Sequence, residues 1–323
     1  MISLVGVEKR FGDFAALGPI DLEISDGFIY GLVGINGAGK STLLRTLSGI
    51  YKPERGEVIY DGEPIFDNPS VKRRVVFVSD ELYLPNGKNI KAMAGQYKRL
   101  YGRLNYERLV ELCSAFELDI KKPFNTFSKG MRRQAATALA ISVEPDYIFF
   151  DETFDGLDPF KRVFIKRLIS NEVRTRGMTA IITSHSLREL EDVCDKLAVL
   201  DKGGLVFDCE VGNISIGVCK LQVAFGYDFD REIFSSLELI EYSKRGSIAT
   251  VVIRGELQEA CEVISGLNPT LLEALPLSLE EAFSLELSSR GINAMGVLSE
   301  KEEKVLRKQL TYFHFFPPFV FAH

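Results

Sequence analysis

Residues 34–41 read Gly34-Ile35-Asn36-Gly37-Ala38-Gly39-Lys40-Ser41, the pattern G-x-x-x-x-G-K-[ST]. The apolar run Phe28-Ile29-Tyr30-Gly31-Leu32-Val33 precedes it, and Thr42-Leu43-Leu44-Arg45-Thr46-Leu47 follows. A strand, a glycine turn and a helix start therefore come in the order that a phosphate-binding loop needs. The ligand class implied is a nucleoside triphosphate with magnesium. A chance glycine turn is the bland alternative. With glycine at about 7% of average usage, the pattern arises by accident about once per hundred chains of this length. The flanking strand and helix patterns lower that further.

Each residue type has a task there. Gly37 and Gly39 let the main chain curl and bring its N–H groups close to the phosphates. A helix opening at Lys40 aims its unpaired N–H groups and positive dipole end at the same anion. Lys40 adds a full charge against the β- and γ-phosphates, and Ser41 offers a hydroxyl to Mg²⁺. Gly34, Ile35, Asn36, Ala38 and Thr42 complete the expected nucleotide cradle.

The chain has 323 residues, enough for about two domains. Its formal net charge is −6, with 26% charged and 46% hydrophobic residues. That balance argues against nonspecific nucleic-acid binding, so no nucleic-acid partner is expected. The five cysteines, Cys113, Cys194, Cys209, Cys219 and Cys261, form no C-x-x-C pair and are odd in number. They read as reduced, mostly packed thiols of a cytosolic protein rather than a zinc site. No secretory signal is recognisable, and no apolar stretch approaches the ~18 residues of a membrane span.

Residues 1–26 alternate apolar and polar and read as antiparallel strands leading to the glycine turn. From about 89 to 116 the pattern is helical. Tyr147-Ile148-Phe149-Phe150, residues 178–183 and Leu197-Ala198-Val199-Leu200 are apolar runs expected to be buried parallel strands, with a helix over 159–176. Pro159 suits a first-turn position. Near residue 213 the character changes. Strands are expected at 220–225 and 248–253, helices at 231–237 and 257–265. Residues 299–323 read as a charged helix candidate, Glu300-Lys301-Glu302-Glu303-Lys304, followed by the aromatic run Phe315-Phe316-Pro317-Pro318-Phe319.

Two carboxylates, Asp151 and Glu152, end the run Phe149-Phe150. Such pairs often mark a plain strand-end turn. Downstream of a phosphate loop they have a use. Asp151 is placed to hold Mg²⁺, directly or through water. Glu152 is placed to accept a hydrogen bond from the attacking water, as general base or water positioner. His185, in Thr183-Ser184-His185, is delivered to the same edge by another strand, where neutral imidazole can bond the γ-phosphate or the lytic water.

These residues, in this order, resemble the nucleotide-binding subunit of an ATP-binding-cassette (ABC) transporter over roughly residues 1–215. Phe127-Ser128-Lys129-Gly130-Met131 resembles the family signature, usually Leu-Ser-Gly-Gly-Gln. Phe154-Asp155-Gly156-Leu157-Asp158 resembles the loop after the catalytic acid and ends in the family's Leu-Asp pair. Phe11 sits where the family stacks an aromatic on adenine, a contact that needs only a π-face. Ser128 reads as an N-cap for the helix over 131–141, and Gly130 leaves room for a phosphate. The resemblance implies a P-loop NTPase cassette of α/β class. Its parts are a mixed sheet core, an antiparallel β subdomain and a helical subdomain, with a small α+β appendix at the C-terminal side. The expected domains are 1–212, a nucleotide-binding domain, and 213–289, an accessory domain, before the tail 290–323.

The resemblance also implies ATP and Mg²⁺ as ligands, with Ser128, Lys129, Gly130 and Asp158 reaching ATP held by a second nucleotide-binding subunit. Two ATPs would be sandwiched between two subunits that drive a separate membrane permease. Residues 82–104 would form part of the docking surface. The protein would sit in the cytoplasm, peripheral to the inner face of the cell membrane. Three positions depart from the pattern. Where the family has a glutamine after the third sheet strand, this chain has Asp80, with Glu81 the nearby alternative. An acid there can touch Mg²⁺ or water but cannot donate as an amide does. Lys129 replaces a signature glycine, and Met131 the signature glutamine. Such drift, with the appended domain, resembles bacterial exporter-type cassettes. A soluble cassette ATPase acting on ribosomes or DNA, and a weakly catalytic regulatory cassette, are the alternatives.

Overall fold

The apolar runs on either side of the glycine turn assemble into a central sheet. A computed structural model describes residues 1–154, 156–214 and 217–289. Asp155 and the tail 290–323 lie outside the described residues. The chain divides into two compact units, Met1–Asp208 and a second that begins at Cys209.

In chain order the first unit begins with β1 (Ile2–Phe11), β2 (Phe14–Ile24), β3 (Ile29–Val33) and α1 (Lys40–Leu47). Next come β4 (Arg55–Tyr60), β5 (Glu63–Pro64), α2 (Pro69–Lys72) and β6 (Val75–Val78). Helices α3 (Ile90–Tyr101), α4 (Tyr106–Ala115) and α5 (Lys129–Ser142) follow. Then β7 (Tyr147–Phe150), α6 (Pro159–Arg176), β8 (Thr179–Ser184), α7 (Leu187–Leu190), β9 (Lys196–Asp201) and β10 (Gly204–Glu210) complete it. One sheet has the order β2-β1-β4-β5, and the other β10-β9-β3-β8-β7-β6.

Strands β3, β7 and β8 are buried along their whole length. That requires both faces of the sheet to be covered, which explains unbroken apolar runs instead of alternation. β3 lies between β8 and β9 and runs parallel to both, and β7 runs parallel to β6 and β8. All their C-terminal ends therefore open on one edge, where ligands of such sheets bind. β1 and β2 pair antiparallel as expected. Their inward side chains, among them Ile2, Leu4, Val7, Ile20 and Ile24, join Leu43, Leu44 and Leu47 of α1 in one core. Each such side chain stabilises the fold by about 1.5–3 kcal/mol.

The helical stretch expected over 89–116 is two helices. Gly102 takes φ 78° and ends α3, and the Asn105 side chain then caps α4 by accepting from Arg108 N at 3.0 Å. Among the described residues no helix is long and apolar enough to cross a membrane.

The second unit contains α8 (Val211–Ile214), β11 (Val218–Ala224), β12 (Glu238–Arg245), β13 (Ile248–Arg254), α9 (Leu257–Ser265), β14 (Leu271–Leu275) and α10 (Leu279–Ser289). Its sheet has the order β12-β13-β11-β14. Leu221 and Val223 of β11 and Val251 and Ile253 of β13 alternate inward, against Ala260 and Ile264 on one face of α9. This is the period-two pattern of an antiparallel sheet with one covered face. The helix expected over 231–237 is only a 3₁₀ turn, Arg231–Phe234, started by the Asp230 side chain and pinned by buried Phe234.

Candidate active site

Val33 ends β3 opposite Ser184 of β8, and Phe150 of β7 lies opposite Ile182. The residues that follow, Gly34, Asp151 and His185, therefore leave the sheet side by side. Between β3 and α1 the chain makes the glycine turn. Gly39 has φ 104°, and a Cβ there would meet Ala16 O at 3.0 Å. At Gly34 a Cβ would lie 2.4 Å from Leu200 O, so a side chain is excluded for space alone.

A cleft of about 490 Å³ opens over this turn. Asn36, Gly37, Gly39, Lys40, Ser41 and Thr42 line it from the turn, and Asp80, Glu152 and His185 from the neighbouring strand ends. Lys40 is 5% exposed. Its ammonium donates to Gly34 O at 2.6 Å and Ile35 O at 3.2 Å, with Glu152 Oε1 at 3.5 Å. Burial lowers the Lys40 pKa, and the Glu152 charge opposes that.

Glu152 is held between two partners. Its other oxygen pairs with His185 Nδ1 at 2.9 Å. Burial works against its charge, but the His185 hydrogen bond and the Lys40 charge outweigh it and hold the carboxyl below its ordinary range. The hydrogen bond to Glu152 raises the His185 pKa, with burial opposing. Glu152 also takes a left-handed backbone, φ 48°. For a non-glycine residue that conformation costs about 1–2 kcal/mol. Its N–H donates to Thr183 Oγ1 at 3.0 Å, one of the bonds that hold it there.

This pair gives a pH prediction. A raised histidine pKa means that the folded chain binds the proton more tightly. The stabilisation is thus full below the ordinary 6.5 and is lost as pH rises through the raised value. A depressed carboxyl gives stabilisation present above the ordinary 4.5 and lost as pH falls through its lowered value. Both contributions are present together between those two ordinary values. An NMR titration of the His185 ring is expected to give a pKa above 6.5 that moves down in Glu152→Gln. An unchanged pKa in that variant would refute the pairing.

Asp151 is 1% exposed. Its Oδ1 accepts from Ser41 Oγ at 3.0 Å and Thr183 Oγ1 at 2.8 Å. Its Oδ2 is buried without a hydrogen-bond partner. A buried carboxylate oxygen with no donor is costly unless a cation serves it. No three His, Cys, Asp or Glu side chains cluster as a ready-made metal site among the described residues. The arrangement fits Mg²⁺, which takes one or two protein oxygens and obtains the rest from phosphates and water. Ser41 and Asp151 are the residues that would hold it.

The other expected site residues lie around this centre. Ser128 caps α5, accepting from Met131 N at 3.2 Å, and Lys129 and Gly130 open that helix. Asp158 caps α6, accepting from Lys161 N at 3.0 Å. Neither cap residue lines the cleft. Asp80 does, but its Oδ1 is bound to Arg133 at 2.6 Å. Phe11 is not among the cleft-lining side chains; its ring packs edge-on against Tyr51 at 5.2 Å. The aromatic in the cleft is Phe14, opposite Phe11 across the β1–β2 hairpin and 66% exposed. Phe14, Thr183 and Arg133 were not singled out from the sequence. Gly12-Asp13 was a signal for Phe14, because a two-residue turn places residues 11 and 14 face to face.

A phosphate-type turn on a parallel edge, facing an acid pair and a histidine, defines a P-loop ATPase site. Residues 17–155 match the family model described as ABC transporter. The ABC transporter ATP-binding protein YtrB of Bacillus subtilis (strain 168) is 28% identical over 283 residues, covering 88% of this chain and 97% of that protein. The sulfate/thiosulfate import ATP-binding protein CysA of Caulobacter vibrioides is 32% identical, over 62% of each chain. The dimeric structure of MJ0796, a bacterial ABC transporter cassette, superposes with a TM-score of 0.60 at 23% identity, covering 65% of this chain and 98% of that one. Over residues 17–155 the chain carries an ABC transporter ATP-binding domain, an ATPase cassette, and the relatives it matches are named ABC transporter ATP-binding proteins.

Proposed function

We propose that this chain binds Mg-ATP in the cleft over residues 34–42 and hydrolyses it to power a separate membrane permease. The observation that supports this best is the meeting of Lys40, Ser41, Asp151, Glu152 and His185 at one sheet edge. The amides of the glycine turn and the Lys40 ammonium hold the triphosphate tail. Phe14, or Phe11 beside it, offers a ring face to the base. Glu152 orients a water in line with the γ-phosphorus and accepts its proton as the water attacks. The new P–O bond forms as the bond to the β-phosphate oxygen breaks, giving ADP and phosphate. His185 holds the carboxylate in place and bonds the γ-phosphate side. Bound Mg²⁺ supplies charge neutralisation of the phosphates.

Ser128, Lys129, Gly130 and Asp158 stand outside the cleft, as residues reaching a nucleotide on a second subunit would. The segment 82–104, read as the permease-docking face, carries exposed apolar side chains: Tyr83 is 87% and Leu100 65% exposed. Export is the direction we assign, on the drift in residues 127–131 and the appended unit; ATP-driven uptake in a flux measurement would overturn it.

The test uses Glu152→Gln, which keeps ATP from turning over. Adding Mg-ATP, but not Mg-ADP, is expected to double the sedimenting mass from 36.1 kDa. A chain that binds ATP and stays single would remove the homodimer and require a different partner subunit. A chain that binds no ATP would overturn the proposal.

A further inference from the structure

Arg133 lies on α5, is 2% exposed and has no part in the nucleotide cradle described above. Its guanidinium joins two segments that both reach the cleft. Nη2 donates to Asp80 Oδ1 at 2.6 Å and to Asp80 O at 3.3 Å. Nη1 donates to the main-chain carbonyl of Glu152. A guanidinium buried this deeply needs a counter-charge and a fixed orientation, and a carboxylate gives both.

The second contact falls on a strained residue. Glu152 holds its left-handed backbone through several bonds. Its N–H is fixed by Thr183, and its carboxylate by Lys40 and His185, all from the sheet edge and the turn. The carbonyl is fixed from outside that edge, by Arg133. The carbonyl direction sets the backbone torsion after Glu152 and, with φ, the direction in which the Cα–Cβ bond leaves the main chain, from which the side chain reaches Lys40 and His185. A shift of about 1 Å in a reacting group can cost about 100-fold in rate.

We infer that Arg133 is a positioning residue for the Glu152 carboxylate, and that Asp80 is the counter-charge that orients Arg133. The pair sets turnover, while nucleotide binding stays with residues 34–42. The position where the resembled family carries a neutral glutamine thus has an ionic task in this chain. The inference rests on Glu152 being the base of the proposed reaction.

The experiment compares the intact chain with Asp80→Asn, Arg133→Lys and the double variant. Asp80 has a side chain 46% exposed, so Asp80→Asn tests the link without emptying the core. Arg133→Lys keeps the charge but cannot span both partners. Each single variant is expected to lower kcat about tenfold or more, with KM for ATP within about twofold. The double variant is expected to be no slower than the slower single, because both act in one series. In Arg133→Lys the NMR pKa of His185 should move towards 6.5 as the carboxylate drifts away. Wild-type kcat in the single variants, or losses that simply multiply, would overturn the inference. If the parent chain hydrolysed no ATP, the base assignment would fall. The His185 titration would still decide the positioning, and an unchanged value in Arg133→Lys would refute it.

Discussion

Glu152→Gln is expected to bind ATP as tightly as the parent chain and to lose steady-state hydrolysis by about 10²–10⁴-fold. The amide has the shape of the carboxylate and can still accept the bond from His185 Nδ1, now 2.9 Å from Glu152 Oε2. It cannot take a proton from water. Ser41, Asp151 and the glycine turn are untouched, so the triphosphate keeps its holders. Removing a negative charge beside the γ-phosphate also leaves no reason for weaker binding. Phosphate release measured with saturating Mg-ATP, beside an equilibrium binding titration, separates the two effects. Hydrolysis at the parent rate would take the proton-accepting role away from Glu152.

Lys40→Ala should act on the other side of that division. The ammonium is buried and bonded to the Gly34 and Ile35 carbonyls inside its own loop, with Glu152 at 3.5 Å. Charge-assisted bonds to a phosphate contribute about 1.5–3 kcal/mol each. Losing even one such bond and its charge costs about 3 kcal/mol, on the order of 100-fold in Kd. The loss is compounded because Glu152 would then face the phosphates without its cation. A titration with ATP is expected to show no saturation at concentrations that fill the parent chain. A Kd within about threefold of the parent would show that the turn binds through its backbone alone. Thermal unfolding of the same variant should stay cooperative, since the sheet and α1 core do not include this side chain.

How much of this was legible depended on the distance over which each residue acts. Lys40, Ser41, Asp151, Glu152 and His185 each follow an apolar run that ends at the same sheet edge, so strand pattern and chemistry pointed to one place. The N-caps Ser128 and Asp158 were also readable, because capping is local. The Arg133–Asp80 pair was not, since 53 residues separate the partners and neither sits in a pattern that announces the other. Thr183 stood in a quoted triplet, but its bonds to Asp151 and Glu152 come from strand register, which periodicity does not give. β12 escaped for another reason. Its side chains are mostly half-buried without regular alternation, so no period-two signal marks it. Asp155, in the loop after the acid pair, lies outside the described residues.

Crystals of the chain grown with Mg²⁺ and a nonhydrolysable ATP analogue test the central claim most directly. The account predicts the β- and γ-phosphates against the amides of residues 37–41 and the Lys40 ammonium. It also predicts the cation between Ser41 and Asp151, and a water held by Glu152 in line with the γ-phosphorus. A nucleotide bound elsewhere, or one in this turn with the Glu152 carboxylate facing away from its γ-phosphate, would contradict it.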